Sequence, residues 1–231
     1  ALENLTSLMI NFALTKISSE GLQALSNQCL KKHKLKSFRL NCSQTSIGDE
    51  GFKSLDEGLN CSLETIEDIE LIFDSTDVQG EEFLDSLFGM NRLQHLKLSF
   101  ENSQISSEIL SAIVLSLGSL AKSLEGLELN LNRSGVDDKK LEELASHVLS
   151  QMKGLKHLKL CLGETFVSND FLLALFQSLG SLAPHLETLE LDLHSTKLSN
   201  AAFKKFCKEV LNKMQNIENL KLDLSQTRIT D

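Results

Sequence analysis

The sequence predicts an α/β solenoid, with parallel strands along one side and helices along the other, and three observations predict it. One short line recurs along the chain: "LETLELDLHSTKLSN" at 186–200 has near copies in "LKHLKLCLGETFVSN" at 155–169 and "LEGLELNLNRSGVDD" at 124–138. The copies keep a nearly fixed spacing, as stacked repeats do. Within each copy the apolar period also switches from two to about 3.6, from strand to helix.

Aligned on L-x-x-L-x-L-x-L-x-x-T-x-I, the frames begin at Leu5, Leu35, Ile66, Leu93, Leu124, Leu155, Leu186 and Ile217, so successive starts lie 27 to 31 residues apart. This predicts a single domain over 1–231, with seven full repeats and one partial repeat that stops at Asp231 before its helical half. In the strand half, Leu189, Leu191 and Leu193 alternate with Glu190 and Asp192, which buries one face of a strand. In the helical half, Phe203, Phe206 and Val210 take helical spacing, as Leu141, Leu144 and Val148 do upstream. The helices open at Ser18, Gly48, Gln79, Ser106, Asp137, Ser168, Ser199 and Thr230, mostly residues that accept a hydrogen bond from free helix-end amides. A larger duplication overlies the small one. "LQHLKLSF" at 93–100 with "SLGSLA" at 116–121 matches "LKHLKLCL" at 155–162 with "SLGSLA" at 178–183, a unit of 62 residues.

The pattern resembles leucine-rich repeats of the ribonuclease-inhibitor-like class over essentially the whole chain, with "SIGDEGFKSLDEGL" at 46–59 similar to that class's strand-to-helix turn. The resemblance implies a horseshoe with a concave parallel sheet, convex helices and a binding role. It also implies an Asn that satisfies backbone groups between neighbouring turns. Here that position holds Thr15, Thr45, Thr76, Ser103, Ser134, Thr165, Thr196 and Thr227, which predicts a structural hydroxyl ladder in place of the Asn ladder. The class includes the Ran GTPase-activating proteins, but none of their functional residues carries over to a position of this sequence.

Composition narrows the partner. The net charge of −9 disfavours phosphate backbones, so nucleic acid is not the expected partner. No apolar run reaches the roughly 18–20 residues of a membrane span, so membrane insertion is not expected. Five cysteines without CxxC spacing read as reduced thiols, which places the chain in the cytoplasm or another intracellular compartment. Four N-x-Ser/Thr sequons, at Asn4, Asn41, Asn60 and Asn132, are the features that favour secretion. The chain starts at Ala1, and neither end carries a polar cap. It therefore reads as a segment of a longer chain whose uncapped repeats can associate end to end.

Parallel strands in register turn outward positions into columns, with neighbours about 4.8 Å apart. One column reads Met9, Arg39, Glu70, Lys97, Glu128, Lys159, Glu190 and Lys221, alternating in sign from Arg39 onward. It predicts a structural charge ladder that holds the register. The next column places Gly126 between His95 and His157. These histidines lie two strands apart without a third ligand, so they read as a solvated pair rather than a metal site. Ile72 and Phe166 are apolar in columns that are otherwise polar. Together with His95, Gly126 and His157 they are the candidate partner-binding residues.

No phosphate loop occurs, and Cys161 has no base within reach, because His157 stands about 13 Å back along the strand. The chain is therefore expected to be no enzyme and to need no cofactor. With no Trp and no Tyr, an aromatic-lined binding face is disfavoured and weak, polar or multivalent contact is favoured. The expected function is a protein-interaction module; the alternative is a structural spacer or regulatory arm, for example on a kinase or a GTPase regulator.

Overall fold

The computed structural model describes residues 4–78, 85–136 and 138–230. Eight five-residue strands form one sheet: β1 (Ser7–Asn11), β2 (Ser37–Asn41), β3 (Asp68–Ile72), β5 (His95–Ser99), β7 (Gly126–Asn130), β8 (His157–Cys161), β9 (Thr188–Asp192) and β10 (Asn219–Asp223). Their spatial order is the chain order and every pairing is parallel, with Lys97 beside Glu128 and Glu128 beside Lys159. A second ribbon pairs β4 (Asp77–Val78) with β6 (Gln104–Ile105). The helices between strands are α1 (Ser19–Gln28), α2 (Asp49–Leu59), α3 (Ser107–Leu120), α4 (Asp138–Glu143), α5 (Asn169–Leu182) and α6 (Asn200–Glu209). α4 widens into a π turn over Leu144–Val148. Helices are about 10 Å wide and strands about 4.8 Å apart, so a stack of such units curves with the sheet inside. The fold is an α/β leucine-rich-repeat solenoid with a concave sheet and convex helices.

The core is the inward stripe of each strand packed on the inward stripe of each helix. Leu96, Leu98, Leu127, Leu129, Leu158 and Leu160 lie between the sheet and α3, α4 and α5, all buried. Phe73 sits edge-on to Phe52 with ring centroids 4.9 Å apart and stacks on Phe100 at 6.1 Å, geometry that aromatic pairs prefer. The 62-residue duplication is visible locally. β5 and β8 bury their residues in the same order, and α3 and α5 have equal length.

The turn that leaves each strand repeats in detail. Leu14, Gln44, Ser75, Asn102, Arg133, Glu164, Ser195 and Gln226 all have positive φ, between 53° and 61°. Seven of these amides donate to the following repeat, as in Gln44 N to Asp74 O at 2.9 Å and Arg133 N to Gly163 O at 2.9 Å. The left-handed backbone thus continues the inter-strand ladder around the corner. The hydroxyl column beside it works differently from the expectation. Thr15, Thr45, Thr76, Ser134, Thr165, Thr196 and Thr227 each donate to the carbonyl three residues back in their own turn, as Thr165 Oγ1 does to Leu162 O at 2.6 Å. Only Ser103 reaches the preceding repeat, donating to Phe73 O at 2.8 Å. Cross-repeat bonding here belongs to backbone amides, which leaves the hydroxyls to close each turn.

Helix starts divide into two groups. Ser106, Ser168 and Ser199 accept from Ile109 N, Phe171 N and Ala202 N at 3.1–3.3 Å, as N-caps do. Ser18 and Gly48 make no side-chain cap bond, and Thr230 bonds Asn200 on the neighbouring repeat instead. Gln79 and Asp137 lie outside the described residues. Replacing Ser168 with Ala is expected to cost about 1 kcal/mol, while Ser18→Ala changes stability by only a few tenths. Denaturant unfolding of both variants checks this contrast.

Candidate functional site

Each five-residue strand turns three residues to the concave face, as β5 does His95, Lys97 and Ser99, and the register sets them in columns. In the charge column Lys97 lies 3.1 Å from Glu70 and 3.5 Å from Glu128, Lys159 turns back to Glu128 at 2.8 Å, and Lys221 reaches Glu190 at 3.6 Å. Arg39 departs from the expected rung. It sits 2.9 Å from Asp68, one column over, and 3.9 Å from Glu70. Asp68 already accepts from Ser37 Oγ at 2.9 Å, so its carboxylate is positioned for the guanidinium. A second row of ion pairs, not noticed in the sequence, lies just before the strands: Lys36–Glu67 at 3.9 Å, Arg92–Glu67 at 3.4 Å and Lys156–Glu125 at 2.7 Å. Opposite signs at Lys36 and Glu67, and at Lys156 between Glu125 and Glu187, were the available signal.

Between these two rows a hollow of about 390 Å³ opens on β3, β5, β7, β8 and β9. Its floor is Gly126, in register with His95 on one side and His157 on the other. A Cβ at Gly126 would lie 2.7 Å from His95 Nδ1, so the His95 ring leans over the bare floor. His157 turns the other way, with Nδ1 3.3 Å from Thr188 Oγ1 and Nε2 3.9 Å from Glu187. The three residues thus form one concavity, rimmed by Glu70, Lys97, Glu128 and Lys159.

Ile72 and Phe166 are not brought into this hollow. Ile72 is half-buried and lines a smaller hollow of about 180 Å³ with Met9, Arg39 and Glu70 near the start of the sheet. Met9, 70% exposed, is an apolar contact the charge-column reading overlooked; its uncharged place at the head of that column was the signal. Phe166 stands 82% exposed on the turn after β8.

The column at the strand ends has a structural task. Asn11, Asn41, Asn130, Asp192 and Asp223 each accept the amide two residues on, at 2.9–3.2 Å. Where that column holds Ser99 or Cys161, the preceding repeat supplies the acceptor. Asp74 Oδ1 takes Glu101 N at 2.9 Å, and Asn132 Oδ1 takes Gly163 N at 2.6 Å. Asp192, His194 and Asp223 place donor atoms within 4.8 Å of one another, the spacing a metal ion needs. All are engaged internally: Asp192 accepts from Asn132 Nδ2 at 2.8 Å, Asp223 from Ser225 N at 3.0 Å, and His194 Nδ1 lies 2.6 Å from Asp192. The His194 ring also reaches Glu164 with Nε2 at 3.2 Å, and Glu164 pairs with Arg133 at 2.9 Å. Hydrogen bonding to Asp192, helped by Glu164, raises the imidazole above its ordinary value. Burial pushes the Cys161 thiol up to about 11, which keeps it protonated and unreactive near neutrality.

No protein-family model matches the sequence, and no curated protein matches it. Among solved structures, 45 chains match the fold. One is internalin C2 from Listeria monocytogenes str. 4b F2365, 20% identical, with a TM-score of 0.51, covering 100% of this chain and 75% of that one. At this identity the likeness is one of fold: a leucine-rich-repeat architecture. No helix of the described residues is long and apolar enough to cross a membrane.

Two outcomes are expected of this surface. Lys97→Glu places three carboxylates side by side and should lower stability by roughly 1–2 kcal/mol, with part of the loss removed by about 1 M salt; thermal melts at two salt concentrations measure both. His194 has a raised folded pKa, so its contribution is fully present below the unfolded value of about 6.5 and is lost as pH rises through the folded value. The stability difference between the native protein and His194→Asn should therefore be widest near about pH 6 and shrink toward about pH 9. Denaturant unfolding across that range checks it, and a difference that grows with pH contradicts the assignment.

Proposed function

We propose that the chain is a non-enzymatic protein-interaction module, built of about 31-residue repeats of the ribonuclease-inhibitor-like class, that docks a protein on its concave face. The observation that carries this reading is the hollow over Gly126, about 390 Å³ on an otherwise ion-paired sheet. Elsewhere the outward charges neutralise one another across adjacent strands; here Gly126 carries no side chain, and the His95 ring that leans over it forms one wall of the hollow. Met9 and Ile72 at one end of the face and Phe166 at its turn edge supply apolar contacts. The absence of Trp and Tyr fits modest affinity spread over several such points. The protonated Cys161 thiol supports a non-catalytic role, and the charge of −9 supports a protein rather than a nucleic-acid partner. Self-association along the solenoid axis and a cytoplasmic setting belong to the same proposal.

A spacer or regulatory arm is the second reading, favoured by the closed ion pairs Lys97–Glu70 and Lys159–Glu128, which leave little free charge for a partner. The two readings differ in which substitutions matter. Affinity capture from a native lysate, followed by identification of bound proteins, compares the native chain with Gly126→Val and with the Ile72→Lys/Phe166→Glu pair, each checked for folding. A defined protein retained by the native chain and lost with either variant supports the module. Equal recovery with all three chains moves the contact off these residues, and no recovery with any supports the spacer.

A further inference from the structure

We infer that the third repeat, which begins at Ile66, is a hinge at which the solenoid bends and opens as two blocks, repeats 1 and 2 on one side and repeats 4 to 8 on the other. The hinge belongs to the scaffold and stands whether or not the concave face docks a partner. Its first sign is length. From the frame start to the residue that opens the helical half, every repeat advances 13 positions, as from Leu35 to Gly48 and from Ile66 to Gln79. From there to the next frame the third repeat advances 14 positions, Gln79 to Leu93, where the other full repeats advance 17 or 18. The shortfall is about one α-helical turn of 3.6 residues, and it falls entirely in the helical half.

The convex layer is thin where those residues are missing. α1 packs on α2 and α5 on α6, but between α2 and α3 stands a five-residue 3₁₀ turn, Asp85–Gly89. Leu87 in this turn is buried, while Phe88 beside it stays 42% exposed. A 3₁₀ turn is tighter and less well bonded than an α-helix, and such turns often mark hinges. It is held to the second repeat by Asp56, whose Oδ1 accepts Ser86 N at 2.9 Å, and by Leu63, which lies 3.2 Å from where a Cβ on Gly89 would sit. A solenoid is held together by contacts between neighbouring repeats, so a thin contact is where it yields. The sheet side of the same repeat is reinforced instead. β4 and β6 add a parallel ribbon beyond the main sheet, Thr76 N donates to Ser103 Oγ at 3.2 Å, and Ser103 Oγ donates to Phe73 O at 2.8 Å. Phe73 also links Phe52 on α2 to Phe100 after β5. Continuous bonding along the sheet beside a thinned helical layer makes a hinge whose axis runs along β3. The hollow lined by Met9 and Ile72 lies on β1–β3 and the hollow over Gly126 on β3–β9, so bending at β3 changes the angle between them.

The test is native-state hydrogen exchange of the ¹⁵N-labelled chain in rising, sub-denaturing guanidinium. Amides of β1, α1, β2 and α2 should converge on one common opening, and those of β5, β7, β8 and β9 on a second whose equilibrium constant is at least about tenfold smaller. Phe73→Leu, which removes the ring linking Phe52 to Phe100, should raise the first opening roughly tenfold and the second by less. Phe206→Leu, at the contact of α5 with α6, should leave the boundary at the third repeat. If Phe73→Leu does not fold, the boundary in the native chain decides alone. One opening shared by all strands, a graded series from β1 inward as in the fraying of an end, a boundary at another repeat, or an equal response of both openings to Phe73→Leu overturns the inference.

Discussion

Where each strand ends, the chain enters a left-handed turn, and the amide of the turning residue donates to the next repeat rather than to its own. Seven such bonds, from Leu14 N to Ser195 N, extend the parallel ladder beyond the five-residue strands. Non-glycine residues take this conformation at a cost of about 1–2 kcal/mol each. Each of the seven holds this conformation with its amide hydrogen-bonded to the next repeat. Neighbouring repeats are thereby held in one register. A slip of one residue would turn every leucine outward and break the turn bonds together.

Everything on the concave face follows from that register. Columns exist because Lys97, Glu128 and Lys159 are held side by side, and alternating sign is then the arrangement without repulsion. The strand-end column is recruited to close turns, with Asp74 and Asn132 reaching across to serve repeats that lack their own acceptor. A sheet so occupied with its own bonding offers little to a partner. The exception is the seat over Gly126, where the column of outward side chains is interrupted. Duplication set matching histidines on either side of it, and the curvature imposed by helices wider than strands turns that interruption into a concavity.

The turn edge after β8 and β9 has a different character. Arg133, Glu164, His194 and Asp192 form a chain of ionic contacts across three consecutive repeats, beside the exposed ring of Phe166. Gly163 makes it possible: a Cβ there would lie 2.1 Å from His194 Nδ1. The two glycines thus do matching work. Each vacates the space that a histidine of a neighbouring repeat occupies, one on the sheet and one on the turn.

Alternation of apolar and polar residues at period two, switching to helical spacing every 27 to 31 residues, determined by itself the solenoid, the identity of the strands, the inward leucines and the members of every outward column. These are consequences of backbone geometry, in which the face a residue takes is set by its position alone. Only the tertiary structure decided which neighbour each side chain chose. Arg39 took Asp68 over Glu70, and seven of the eight hydroxyls closed their own turns while backbone amides bridged the repeats. Long side chains choose among partners of similar strength a few ångströms apart, and rotamers and local backbone settle the choice. The hollow was hidden for a related reason. A column lists which residues are adjacent, but whether His95 leans over Gly126 while His157 turns to Thr188 depends on ring orientations that no spacing encodes.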